Sequence, residues 1–254
     1  MARVDPVPDA PAAVAHADGE RALVVADYHA GIERSLRRDG LEVRSHAAER
    51  RERLLDLLDR TAPDRMVFLG DLGHHIGEPD GEEREELEAL VDAIDVPVTL
   101  VKGNHDGKLD AVVDSVTAGD GIRVGDVGFT HGHTWPARRV LDADVVCMGH
   151  EHPTVRLADD VGGSRVERVW LRGPLDPAPF EAHYDDFNLS GDPSAEPGHT
   201  FGELVVFPAF NDLSSGTWVN VDGQEFLAPF LPAALPEADA YLLDGTRLGP
   251  YRSL

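Results

Sequence analysis

Residues 98–106 read VTLVKGNHD. Four apolar residues of strand character run into Gly103, and Asn104, His105 and Asp106 follow at once. The same form recurs on either side. Residues 21–29 read RALVVADYH, 66–71 MVFLGD, 127–133 VGFTHGH and 145–152 VVCMGHEH. Short, continuously apolar runs are the mark of strands buried on both faces, as in parallel sheets. In an open α/β sheet the carboxyl ends of such strands gather on one edge, where ligands bind. Five segments far apart in sequence can therefore deliver Asp27, His29, Asp71, Asn104, His105, Asp106, His131, His133, His150 and His152 to one place.

The chain between these segments supports that reading. Residues 46–61 are predicted to be a helix, with Leu54, Leu57 and Leu58 at helical spacing and a solvated Arg/Glu face. Residues 82–95 are predicted to be a second, with Leu87, Leu90, Val91 and Ile94 at i, i+3, i+4 and i+7. Its acidic start (Glu82, Glu83, Glu85, Glu86) suits a helix N-terminus, and Pro97 stops it. From residue 122 onward, strands joined by tight turns take over: 122–124 and 127–130 around Gly125-Asp126, then 145–148, 155–157, 166–171 and 204–207. A last hairpin falls within 241–248 around Asp244-Gly245. Residues 1–20, rich in Ala, Asp and Pro, read as a loose lead-in. Residues 181–200 read as a long exposed loop. Residues 21–254 read as one domain, with βαβ units first and mostly β structure after.

Composition narrows the class. The 254 residues carry 47 Asp+Glu against 23 Lys+Arg, a formal charge of −24, yet 42% are hydrophobic. That is enough apolar material for a core and excludes a wholly disordered acidic chain. No run of about 18 apolar residues exists, which excludes a transmembrane helix. The start, MARVDPVPDA, has no basic segment leading into an apolar one, so no secretory signal is expected and the location expected is cytoplasmic. Cys147, the one cysteine, lies in an apolar strand and reads as a core residue in a reducing compartment.

Eight of the twelve histidines lie at these strand ends between residues 29 and 152, six inside the quoted segments and His74 and His75 just after Gly70-Asp71. Each cluster alone has an ordinary explanation: a capping Asp, a Gly-Asp turn, a turn-forming Asn. Five in this order, each at a strand end, do not. Asp, Asn and His without a thiolate suit hard-to-borderline divalent metals. His16, His46, His183 and His199 match no cluster and read as surface residues.

At these residues the chain resembles the calcineurin-like metallophosphoesterase superfamily, whose pattern is D-x-H, G-D, G-N-H-D/E, a later histidine and G-H-x-H. The resemblance covers roughly residues 21–152. It implies a four-layer α/β sandwich, two mixed sheets flanked by helices, with a dinuclear metal site. Carried over by position, it implies one metal on Asp27, His29 and His152, a second on Asn104, His131 and His150, and Asp71 bridging both. Two ions on two carboxylates leave a local charge of about +2, which favours a phosphate ester and a metal-bridging hydroxide as the in-line nucleophile. Manganese heads the expected metals, with Fe, Zn, Ni and Co allowed by the same donors. The resemblance makes His105 the donor to the leaving oxygen and favours His131 over His133 as ligand. His133 is left to contact phosphate or cap a turn, Asp106 to orient its loop, and Lys102 to meet phosphate or solvent.

The second motif departs from the phosphoprotein phosphatases, which carry an acidic partner of the catalytic histidine three positions after the Asp. Here that position is His74, as in the double-strand-break repair nucleases; His74 is expected to assist His105 or contact substrate, and His75 to be a bystander. Residues 149–157, 170–172, 208–211 and 216–220 resemble a small prokaryotic branch related to those nucleases, the ligase-associated DNA-damage-response endonucleases. The later stretches also fit strand ends packed under the active-site edge, or, for 208–211, a return toward the metals. The resemblance implies a phosphodiesterase or nuclease acting on DNA or RNA, possible association with DNA repair proteins, and no membrane partner. No nucleic-acid-binding module is evident. A small-molecule phosphoesterase and a structural subunit of a repair complex remain as alternatives. Acidic residues are spread along the whole chain and only Lys102 and Lys108 are lysines, a composition similar to that of proteins from salt-accumulating haloarchaea. At 1 M salt the screening length is about 3 Å, so the acidity does not exclude a nucleic acid.

Overall fold

The computed structural model describes residues 3–158, 161–184 and 202–254. The first half contains β1 (Arg3–Pro6), β2 (Ala12–Ala17), β3 (Glu20–Val25), α1 (Ile32–Arg38), α2 (Ala47–Thr61), β4 (Arg65–Phe68), α3 (Gly81–Val91), β5 (Val98–Val101) and β6 (Ser115–Thr117). Its strands form one sheet in the order β1-β2-β3-β4-β5-β6. β1, β2 and β3 pair antiparallel, whereas β3 to β6 run parallel.

The second half contains β7 (Ile122–Val124), β8 (Val127–Thr130), α4 (Arg138–Leu141), β9 (Val145–Met148), β10 (Thr154–Ala158), β11 (Ser164–Pro174), α5 (Ala178–His183), β12 (Glu203–Val206), β13 (Asp239–Leu242) and β14 (Arg247–Pro250). These form a second mixed sheet, β14-β13-β11-β12-β9-β8-β7, with β10 paired to β11. Strands β8, β9 and β12 are mutually parallel.

Alternation along the buried strands assigns the layers. Val24, Ala26, Val67 and Leu69 point between the sheets, where they meet Phe129, Val145, Cys147, Val205 and Phe207. The intervening Leu23, Val25, Met66 and Phe68 point outward and pack on Leu54 and Leu57 of α2 and Leu87 and Leu90 of α3. On the other side Val146, Met148, Leu204 and Val206 pack with Phe180 of α5, Phe230 and Tyr251. Helix, sheet, sheet and helix make the expected four-layer sandwich. Among the described residues no helix is long and apolar enough to cross a membrane.

Three expectations need correction. Residues 1–20 are not a loose lead-in: they supply β1, β2 and the start of β3. Ala12, Ala13 and Ala15 are fully buried; Ala13 and Ala15 lie between the sheets, where small side chains let them approach, and Ala12 lies on the helix side. The helix expected over 82–95 ends at Val91. Of the loop expected over 181–200, residues 181–183 belong to α5, Tyr184 follows it, and the remainder lies outside the described residues.

The charged face of α2 is not wholly solvated either. Arg50 is 5% exposed and lies between Glu33 of α1 and Glu86 of α3. Its Nη1 is 3.1 Å from Glu33 Oε1, and its Nη2 is 2.6 Å from Glu86 Oε1. Glu86 also accepts the Gly31 N–H at 2.9 Å, which ties three helices to the loop after Asp27. Breaking one member of a buried ion group leaves the others uncompensated, at about 3–5 kcal/mol. Arg50→Ala should lower unfolding free energy by about that amount in denaturant titrations run in molar KCl; a change below about 1 kcal/mol would contradict the arrangement.

Candidate metal centre

The ligand segments lie where the parallel strands end. Past β3 and β4 the chain stays paired: Asp27 N–H donates to the Gly70 carbonyl at 3.2 Å, His29 N–H to Asp71 at 2.9 Å and Ala30 N–H to Leu72 at 2.9 Å. Among the described residues, eight non-glycines have positive φ, and five are Asp27 (56°), His29 (49°), Asp71 (47°), His150 (69°) and His152 (44°). A left-handed residue at a strand end turns its side chain out of the sheet's alternation, at a cost of order 1–3 kcal/mol each. Neighbouring glycines allow the segments to touch. A Cβ on Gly70 would lie 2.3 Å from His131 Nδ1, and one on Gly103 2.2 Å from Asp71 Oδ1.

Three groups of metal-ligating atoms result among the described residues, Asp27 with His29 and His152, Asp71 with His131 and His150, and His29 with His74 and His105, each within 4.8 Å internally. Asp71 Oδ1 is 3.4 Å from His131 Nε2 while its Oδ2 is 3.9 Å from His29 Nε2, so this carboxylate lies between the first two groups. Asn104 Oδ1 is 3.1 Å from His131 Nε2. All seven expected ligands are thus brought together.

The tautomers test whether a metal fits. His131 Nδ1 donates to the Leu69 carbonyl at 2.7 Å, and His152 Nδ1 to the Ser215 carbonyl at 2.8 Å. A backbone carbonyl on one ring nitrogen is the usual support of a metal-bound histidine. It leaves the Nε2 lone pair of His131 facing the oxygens of Asn104 and Asp71. It leaves that of His152 3.2 Å from Asp27 Oδ1 and 3.3 Å from His29 Nε2. With neutral rings acceptor would face acceptor in both groups; a proton on the ring or a divalent cation between the groups resolves this.

Electrostatics agree. Burial opposes charge on His131, but Asp71 and Asp27 outweigh it and raise its pKa to about 9. Burial pushes the Asp27 carboxyl up, yet His152 and His131 hold it below the usual range. His29, with burial dominant, is lowered to about 3, and His150 to about 4 by burial and by His131.

His105 and His74 stand beside the ligands. Their rings stack with centroids 5.4 Å apart and an interplanar angle of 21°. His105 Nδ1–H donates to the His74 carbonyl, so its Nε2 is the free nitrogen, 3.9 Å from Asp71 Oδ2. His74 Nδ1 is 3.3 Å from His29 Nδ1, and burial together with His105 lowers its pKa. His133 falls outside both ligand groups: its ring centroid is 5.3 Å from that of His131, and its buried Nδ1 has no hydrogen-bond partner. Lys102 Nζ donates to the Gly107 carbonyl at 3.2 Å. His75 is exposed, as is His16, and His46 is half-buried. His183 is exposed but stacks on Trp135 at 3.9 Å. His199 lies outside the described residues.

Other residues support the ligand loops, and one of them, Glu151, was not singled out by the sequence. Asp106 does orient its loop, and also a second one: Oδ1 accepts Leu72 and Gly73 N–H at 2.9 and 3.2 Å, and Oδ2 accepts Gly103 N–H at 2.8 Å. Glu151, fully buried inside the quoted GHEH, accepts the N–H groups of Leu227 and Ala228. Residues 208–211 do return to the site. Phe210 N–H donates to Ala26 at 2.8 Å, and the Asn211 amide to the carbonyls of Tyr28 and His29 at 2.9 and 3.2 Å.

A proton on metal-free His131 must leave when a cation binds. Protons compete at low pH, so affinity for Mn²⁺ or Zn²⁺ should rise with pH up to about 9 and level off above it. Calorimetry near pH 7.5 in buffers of different ionisation enthalpy should show proton release; none would contradict the His131 assignment. Asp71→Ala should abolish metal loading.

Comparison with known proteins agrees with this geometry. A family model described as calcineurin-like phosphoesterase matches residues 20–136. The crystal structure of Pseudomonas putida nuclease MPE superposes with a TM-score of 0.52 at 16% identity, covering 95% of this chain and 98% of that one. Yfce, a phosphoesterase from E. coli, gives 0.33 at 22% identity over 54% of this chain and 73% of its own. No curated protein sequence matches. With the sandwich and the Asp/His ligand groups in place, the likeness of residues 20–136 to the calcineurin-like phosphoesterases makes the chain a metal-dependent phosphoric ester hydrolase with the metallophosphoesterase fold.

Proposed function

We propose that the chain is a phosphodiesterase that cleaves nucleic acid with two divalent ions, manganese foremost, and that it works in concentrated salt. The observation that carries this reading is the stacked His74–His105 pair against His29. Bound at the two ligand groups, the ions supply Lewis-acid polarisation of phosphoryl oxygens and a water of lowered pKa. Asp27, His29 and His152 would hold one, Asn104, His131 and His150 the other, and Asp71 would touch both.

The chain's own residues then have defined tasks. The His74 carbonyl keeps the Nδ1 proton of His105 in place, so Nε2 is the atom that passes a proton to the leaving oxygen. Burial and His105 lower the pKa of His74, which favours its neutral form. His29, if it ligates through Nε2, donates Nδ1–H to His74 Nδ1, which fixes both rings. The side chains gathered around the ligands are imidazoles, an amide and carboxylates rather than guanidiniums. That set favours the single charge of a diester over the dianion of a monoester. The nuclease fold neighbour and the histidine at position 74 support a nucleic acid as the diester.

In molar KCl with Mn²⁺, the protein should hydrolyse bis(4-nitrophenyl) phosphate and single-stranded DNA. His105→Ala should lose about a hundred- to ten-thousandfold in kcat on DNA while retaining metal, the usual range for a missing general acid. Rapid monoester hydrolysis without diester turnover would overturn the diester reading. Full activity of His105→Ala would overturn the role of His105.

A further inference from the structure

Glu83 belongs to the acidic start of α3, yet it is 3% exposed. Among the described residues no cation lies within ion-pair distance of it, since Arg50 is spent on Glu33 and Glu86. A buried carboxylate without a cation needs strong donors instead. Glu83 Oε1 has two, the N–H of His74 at 2.7 Å and the N–H of His75 at 2.9 Å. Space is kept for it by two loops of the metal site. A Cβ on Gly73 would come within 2.9 Å of Glu83 Oε1, and one on Gly31 within 2.6 Å of Glu83 Cβ.

The His75 N–H and the His74 carbonyl belong to the same peptide group. The carboxylate binds one end of that group, and the His105 Nδ1–H binds the other. Hydrogen bonds in such a chain polarise one another: a negative charge at the N–H end makes the carbonyl a better acceptor. We propose that Glu83 is the positioning carboxylate of His105, acting through the single peptide group between His74 and His75. In the phosphoprotein phosphatase pattern an acidic side chain at position 74 would meet the histidine directly. Here a helix supplies the carboxylate from behind the loop, and the ring of His74 is free to brace His29. The inference rests on His105 as proton donor, the reading proposed above.

The test uses diesters that differ only in the leaving phenol, thymidine 5′-(4-nitrophenyl phosphate) and thymidine 5′-(phenyl phosphate), with Mn²⁺ in molar KCl. Nitrophenolate leaves without a proton, whereas phenolate needs one. Glu83→Ala should lose about tenfold in kcat on the phenyl ester and less than about twofold on the nitrophenyl ester, with metal content unchanged. Glu83→Gln keeps a neutral acceptor at the same place, so it should show the same selectivity at about threefold, and it decides the matter if Glu83→Ala does not fold. In the metal-free protein, imidazole ¹⁵N shifts should report the Nδ1–H tautomer of His105 in the wild type and a mixture with Nε2–H in the variants. Equal losses on both esters, or unchanged kcat with an unchanged His105 tautomer, would overturn the inference. His105→Asn is the control. If it lacks the leaving-group effect, the proton-donor reading is what fails; if it shows the effect and the Glu83 variants do not, the relay fails.

Discussion

Lone pairs that face one another set the terms for the rest of this molecule. His131 Nε2 looks at two oxygens, and His152 Nε2 looks at an oxygen and another imidazole nitrogen. With neither a proton nor a metal ion between them, such groups repel. Five of the residues that carry them are also held in left-handed backbone conformations. Neither condition is stable by itself, and both persist because the surroundings leave no alternative. Strands with both faces buried hold the chain up to each ligand. Backbone pairing continues past the strand ends, and Asp106, Glu151 and Asn211 stitch neighbouring loops with their side chains. The apolar layers thus serve as the rigid frame against which an electrostatically unfavourable cluster is kept ready for metal.

The His, Asp and Asn cluster at the strand ends was legible because the same few residue types recur directly after apolar strands. That pattern survives in the sequence whatever the tertiary detail. The parallel strands and α2 were legible for the same reason, as short apolar runs and leucines at helical spacing. The first two strands were not. Their inward faces are alanine, which signals neither strand nor helix strongly, although Asp18-Gly19 between them and β3 is a hairpin signal. The last turn expected of α3 was lost because Ile94 packs in the core without remaining helical. Charged residues misled most. The Arg/Glu face of α2 reads as solvated, yet Arg50 is buried, and so are Glu33, Glu83 and Glu86 around it. Nothing local distinguishes a buried carboxylate from a hydrated one; the partner that makes the difference is supplied by another element.

The formal charge of −24 therefore describes two populations. Most acidic groups lie outside and concern the solvent. A few lie inside and face backbone N–H groups, one arginine or the metal ligands. The outer set responds to ionic strength, and the inner set is screened much less.

The strap from Phe207 to Thr217 gives the site a place in time as well as in space. Every expected ligand has been synthesised once residue 152 has been made, yet His152 is oriented by Ser215 and the Asp27–His29 segment is held by Phe210 and Asn211. A nascent chain that ends between these points owns all its donors and lacks the brace that aims them. Metal capture is thereby deferred until the second sheet has closed over the first.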